Sequence, residues 1–230
     1  MRRSAMRLPV APLLGALVAV LVAGCAGAPS GATPVPTPAP SALPAGTYTS
    51  SAFQPAVTYT VPAGWRVVSD SPDYFALQPV ASDLTGIHLF RDPLAASQDA
   101  ACPTTAEPGA GKLSLELATW IRGLPGFIAS SPRMVTVGGL RGVELDLALD
   151  TGWTASCPFA SGIPTVPLFV GANGDLRWVI AGNERLRVAL LDVPGGGTVV
   201  VDVDAFDGTL MDGLVAAATP IVQGLSFATP

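Results

Sequence analysis

The 230-residue chain is short of the side chains most catalytic and metal sites are built from. It has one histidine, His88, one lysine, Lys112, and three cysteines, Cys25, Cys102 and Cys157, and only 13% of its residues are charged. A zinc site built on histidines is excluded, because a single imidazole would need carboxylates or the cysteines as co-ligands. No C-x-x-C pair occurs, so neither a ribbon-type metal site nor a dithiol redox motif is present. No G-x-S-x-G occurs either, which removes the serine-hydrolase elbow. Gly111-Lys112 lacks the earlier glycine and the hydroxyl residue of a phosphate-binding loop. With a net charge of −5 and one lysine, binding of nucleic acid or anionic headgroups through a basic patch is disfavoured.

Long apolar runs are scarce as well. The one example, Leu8 to Val22, follows Arg2, Arg3 and Arg7 and precedes the small residues Ala23 and Gly24. Positive start, short apolar run and small-residue cut site together read as an export signal over 1–24. The run is shorter than the roughly 20 residues a spanning helix needs. Leu21-Val22-Ala23-Gly24-Cys25 resembles the lipobox of bacterial prolipoproteins, in which the cysteine is lipidated before the signal is cut away. That resemblance implies lipid on Cys25 and a protein held at the outer face of the cell membrane. Lipid carried as two or more chains anchors stably where one chain does so only marginally. Cleavage there removes three arginines and no acid, which takes the formal charge from −5 to −8.

With Cys25 assigned to lipid, Cys102 and Cys157 remain as an even pair in an exported chain, which is read as a disulfide. Closing a loop of that length stabilises by roughly 4 kcal/mol in the chain-entropy picture. Residues 25–46 carry prolines at 29, 34, 36, 38, 40 and 44 and no charge. Such a stretch is expected to stay disordered and extended, a linker of up to roughly 60 Å at about 3.1 Å per residue.

From 47 to 230 the composition is that of a single globular domain. Period-two alternation marks strands at 57–61, 65–69, 74–78, 86–90, 143–149, 177–181, 186–193 and 198–203, with a short one at 225–227. The spacing of Leu113, Leu117, Trp120, Ile121 and Leu124 predicts a helix, with Ser114 as its cap. A second helix is predicted over 210–224, where Pro220 would kink or shorten it. Many strands and two helices point to an α+β fold, a mainly antiparallel sheet with two helices packed on it.

Several motifs weigh little. Phe206-Asp207-Gly208-Thr209-Leu210 resembles the opening motif of the haloacid-dehalogenase phosphatases, but Ala205 stands where that family has its nucleophilic aspartate. Asp202, Asp204, Asp207 and Asp212 fail the spacing of a calcium-binding loop, and alternate aspartates are expected on the exposed face of a strand. Pro194-Gly195-Gly196-Gly197 between two strands reads as a hairpin turn. His88, inside Ile87-His88-Leu89-Phe90, is expected to face outward or to be a satisfied structural residue. Among the tryptophans, Trp120 is expected in the core. Trp65 and Trp153 are the expected ligand contacts at a pocket rim.

The segments TYTVPAGW at 58–65, VTVGGLRGVELDL at 135–147, LLDVPGGGTVVVDVD at 190–204 and IVQGLSF at 221–227 resemble a group of uncharacterised secreted or lipid-anchored actinobacterial proteins. The order of elements is also similar to the Mog1/PsbP-like sandwich. Neither resemblance implies an activity. The sequence therefore leads to a non-enzymatic, tethered binding or accessory module without cofactor or metal, whose partner is the membrane through its lipid and an envelope protein, lipid or glycan. The alternative is an envelope hydrolase that uses carboxylates near His88.

Overall fold

The structure, a computed structural model, describes residues 41–174 and 177–228. The expected signal over 1–24, Cys25 and most of the 25–46 linker lie outside the described residues. The packed chain begins slightly before the expected boundary at 47. Leu43 bridges Trp65 through a 2.7 Å backbone hydrogen bond, and the first strand starts at Gly46.

The described residues form fourteen strands and two α-helices. In chain order the strands are β1 (Gly46–Thr49), β2 (Val57–Val61), β3 (Trp65–Asp70), β4 (Tyr74–Pro79), β5 (Gly86–Arg91) and β6 (Leu94–Ala95). Helix α1 (Ser114–Gly123) precedes β7 (Phe127–Ala129), β8 (Arg133–Val137), β9 (Leu140–Leu149), β10 (Thr165–Val170) and β11 (Arg177–Ala181). The chain closes with β12 (Arg185–Asp192), β13 (Thr198–Ala205), α2 (Met211–Gln223) and β14 (Ser226–Phe227).

Every strand pairing is antiparallel. The central sheet runs β3-β4-β5-β13-β12-β9-β7, with β8 also paired to β9. Two three-stranded sheets, β1-β2-β14 and β11-β10-β6, complete the α+β fold. Alternation along the central strands separates two cores. Phe75, Leu77, Ile87, Leu89, Val201 and Val203 pack with β2 and α2 on one face. Phe90, Leu145, Leu147, Val188 and Val200 pack with α1 and β10 on the other.

Local chemistry explains the elements. In β2, Val57, Tyr59 and Val61 point inward, while Thr58 and Thr60 bond outward to Thr49 and Thr47. The Pro194–Gly197 turn joins β12 to β13 as expected, with glycines supplying positive φ at 195, 196 and 197. Helix α1 is capped differently from the expectation. Leu113 occupies the N-cap position, and Ser114, the first helical residue, donates its N–H and its hydroxyl to the Asp192 carboxylate. Glu116 turns back to accept from the Lys112 and Leu113 amides. Pro220 does not end α2, which continues to Gln223. A proline that close to the C-terminus removes one amide from a helix that packing holds in place.

Cys102 and Cys157 form a disulfide with Cα atoms 5.7 Å apart. It joins the loop after β6 to the segment leading into β10. Among the described residues, no helix is long and apolar enough to cross a membrane.

Candidate functional site

Strand β13 organises two different environments because its side chains alternate between the two faces of the sheet. On the α2 face, Val201 and Val203 form the floor of a cleft of about 390 Å³. Val135 from β8, Ala189 from β12, and Val215 and Val222 from α2 complete an aliphatic lining. Arg133, Glu144, Arg187 and Gln223 stand at the rim. Arg133 pairs with Glu144, its cross-strand neighbour, and the Arg187 Nε lies 2.6 Å from the Asp146 carboxylate. That hydrogen bond to Asp146 raises the Arg187 guanidinium further above its ordinary range, against the opposing effect of burial. Beyond the Arg187–Asp146 pair, a second hollow of about 360 Å³ continues along α2 past Ser130, Arg185 and Met211. The mouth is flanked by the exposed apolar side chains of Met134 and Ile128.

The cleft is suited to binding and has no evident reactive group. Its floor contains no aromatic ring on which a sugar could stack, and both arginines are neutralised by carboxylates. A narrow aliphatic slot beside fixed charges of both signs fits a molecule with an apolar chain and a polar head.

On the opposite face, β13 carries Asp202 and Asp204. The expectation that these aspartates face solvent is overturned: Asp202 is fully buried and Asp204 is 2% exposed. β13 is a central strand covered on both sides, so a period-two pattern does not mark a wet face there. Trp178 of β11 donates its indole N–H to Asp202 at 2.9 Å. Glu184, in the turn between β11 and β12, hydrogen-bonds the Asp204 carboxyl and accepts from the Ala181 amide at 2.7 Å. Among the described residues, no arginine or lysine pairs with any of the three acids.

His88 lies directly across the ladder from Asp202. It neither faces outward nor has all its polar atoms satisfied. The ring is 2% exposed, its Nδ1 is 2.9 Å from the Tyr74 hydroxyl, and its Nε2 has no partner. Asp202 Oδ1 and Asp204 Oδ1 are likewise buried without partners. Burial pushes the His88 pKa down to about 4, which keeps the ring neutral. Burial pushes the carboxyls the other way, Glu184 up to about 7 and Asp204 up to about 11, with Asp202 also raised well above the usual range. Burial of part of the Tyr74 side chain, with Asp202 and Asp204 nearby, raises it to about 12. No three His, Cys, Asp or Glu side chains among the described residues converge as ligands for a metal ion.

Trp65, expected at a rim, is only 5% exposed and packs in the α2-side core. Trp153 is half-buried and structural, donating its indole N–H to the Thr165 carbonyl while its ring lies over Gly126. Two other tryptophans border surface hollows: Trp178, together with Tyr74, His88, Arg66 and Leu84, and Trp120, which is half-buried against the α1-side core instead of enclosed in it. Trp178 is one of the four tryptophans open to a site role from the sequence, but Glu184 belongs to no motif and is not legible there. The readable signal was the uninterrupted run Thr198-Val199-Val200-Val201 leading into the aspartates, which marks a strand buried on both faces.

No family model matches the chain, and no curated protein matches it. Among solved structures, it is similar to LpqN of Mycobacterium tuberculosis, a protein involved in cell envelope biogenesis. That match has 18% identity and a TM-score of 0.38 over 76% of this chain and 83% of that one. It is also similar to the PsbP protein of the cyanobacterium Synechocystis, at 11% identity and a TM-score of 0.37 over 80% of this chain and 94% of the other. The Ran-binding protein Mog1p of Saccharomyces cerevisiae matches at 11% identity and a TM-score of 0.38, over 81% of this chain and 97% of its own. PsbP and Mog1 are the two folds that the order of elements resembles.

Proposed function

We propose that this chain is a lipid-tethered, non-catalytic binding or accessory module of the bacterial envelope, and that the cleft beside α2 holds the apolar part of an amphiphile. The observation that carries this reading is the valine-lined slot over β12 and β13 with ion-paired arginines at its rim. The export signal and the Cys25 lipobox supply the location, and the proline-rich linker supplies the stand-off from the membrane. The absence of aromatic rings on the cleft floor favours a lipid-like ligand over a glycan. The hydrolase alternative gains from the gathering of Asp202, Asp204 and Glu184 beside His88. It loses more from the burial of the acids: Asp202, Asp204 and Glu184 are 5% exposed or less, and none of the three lines the hollow that His88 borders.

The test is titration of the purified full chain with a fluorescent single-chain lysophospholipid held below its micelle concentration. Saturable binding that falls at least tenfold in Val222→Trp, with an unchanged Tm, supports the cleft. Equal binding by both proteins, or none by the wild type, overturns it. A tenfold loss corresponds to about 1.4 kcal/mol, modest for filling the slot with an indole.

A further inference from the structure

We propose that Asp202, Asp204 and Glu184 form a shared-proton clasp between the central sheet and the β11–β12 turn, one that tightens the domain in acid and loosens it in alkali. Geometry carries the inference. Three carboxyl groups lie within one buried patch, and no cation among the described residues is paired with them. Two of their oxygens have no hydrogen-bond partner. Ionised carboxylates in that setting are strongly disfavoured, and a buried acid without a cation keeps its proton instead. The contacts between the layers pass through the same carboxyl groups: Trp178 of β11 donates to Asp202 Oδ2, and Glu184 of the turn meets Asp204.

The surroundings from every side fit protons as the compensating charge. From β5, the neutral His88 faces Asp202. From β4, the Tyr74 hydroxyl faces His88. From β12, the neighbours in register are Val188 and Leu186, both apolar. Arg66 of β3, which lines the hollow beside His88 and Trp178, is held by the Ser82 carbonyl at 2.7 Å and by Asp83 at 2.8 Å. Arg177 of β11 points away, over the Phe159 ring. The three acids titrate together, so the proton loss belongs to the cluster as a whole.

The sign follows from linkage. Each carboxyl is raised in the folded state, so the stability it contributes is full below its unfolded value near pH 4 and is lost as pH rises through the folded values, beginning with Glu184 at about 7. His88 acts oppositely, because its lowered value removes stability as pH falls from about 6.5 toward about 4. Three groups against one leave stability declining as pH rises from about 5. Glu184 ionises first, and its unpaired charge in the buried patch loosens the turn at 182–184 and with it the contact of Trp178 with Asp202.

The experiment follows Tm and amide hydrogen exchange of the full chain from pH 5 to pH 9. Expected are a Tm drop of at least ~5 °C across that range and exchange in β11, corrected for intrinsic rate, that accelerates more than elsewhere. In Glu184→Gln and Asp204→Asn, where an amide replaces the protonated acid, the drop is at least halved. The infrared carbonyl band of protonated carboxylic acid is present in the wild type at pH 7 and weakens by pH 9 as Glu184 ionises, while Asp202 and Asp204 keep their share of it, a readout that needs no variant. A flat or rising Tm, an absent band, or variants that keep the full drop each overturn the proposal. So does a millimolar calcium addition at pH 9 that restores the wild-type Tm but not that of the variants, since the compensating charge would then be a cation.

Discussion

Asp70 shows how much one side chain at the end of a strand can organise. Its carboxylate accepts from the Ser51 amide at 2.6 Å, the Ser51 hydroxyl at 2.7 Å, the Phe53 amide at 3.0 Å and the Ala52 amide at 3.1 Å. Burial pushes this acid up, but the hydrogen bonds from Ser51, Phe53 and Ala52 outweigh it and hold the carboxyl below its usual range. Asp70 is thus the inverse of Asp202: the same side chain, surrounded by donors instead of apolar walls. The turn it holds seats Phe53, fully buried against Phe75. Asp70→Ala leaves three amides without their acceptor and is expected to cost about 2 kcal/mol, read as a lower urea midpoint with an unchanged m-value. Because its folded value is lowered, the part of stability linked to Asp70 is present above about pH 4 and lost as pH falls through the folded value. Asp70→Ala should therefore converge with the wild type in strong acid, as parallel urea titrations at pH 7 and pH 3 would show.

At the scale of elements, β2 and β9 are legible by their alternation, and β4, β5, β12 and β13, buried on both faces over most of their length, are legible as short apolar runs bounded by turn residues. β10, Thr165–Val170, is buried at every position and contains Pro167, so it offers no alternation and carries a residue that argues against a strand. The ladder accommodates the proline with a register shift between Pro167 and Phe169. β7 is three residues long, too short for any period to declare itself. β13 was found, but the exposure of its aspartates was misread, because a strand covered on both faces hides polar residues as readily as apolar ones. The candidate site was less legible than the fold: His88 and the aspartates are visible in the sequence, but their enclosure depends on β11 and the β11–β12 turn. The cap of α1 was illegible for a related reason, since its acceptor, Asp192, lies 78 residues away at the end of β12. A carboxylate at a helix N-terminus satisfies free amides and meets the favourable end of the helix dipole. Asp192→Ala is expected to cost about 1–2 kcal/mol and to raise hydrogen exchange selectively in the first turn of α1. Unchanged protection at Ser114 to Leu117 would show that packing alone holds that end.

At the scale of the whole molecule, the domain and its tether answer different physical demands. The domain, with two apolar cores, a disulfide and no basic patch, has no surface suited to binding an anionic membrane electrostatically. The proposed attachment therefore rests on Cys25. A cysteine beside two small residues, behind an apolar run and three arginines, is the pattern on which the proposed lipid attachment rests. If that reading holds, the mature protein begins at Cys25 and carries a mass in excess of residues 25–230 that matches a diacylglyceryl group with or without a further acyl chain. Intact-mass spectrometry of the detergent-extracted protein measures this directly. Metabolic labelling with an alkyne fatty acid should mark the wild type and leave Cys25→Ala unmarked. An N-terminus at any other residue, or label retained in Cys25→Ala, would show that the chain is exported without this anchor, and the proline-rich segment would then be a free tail.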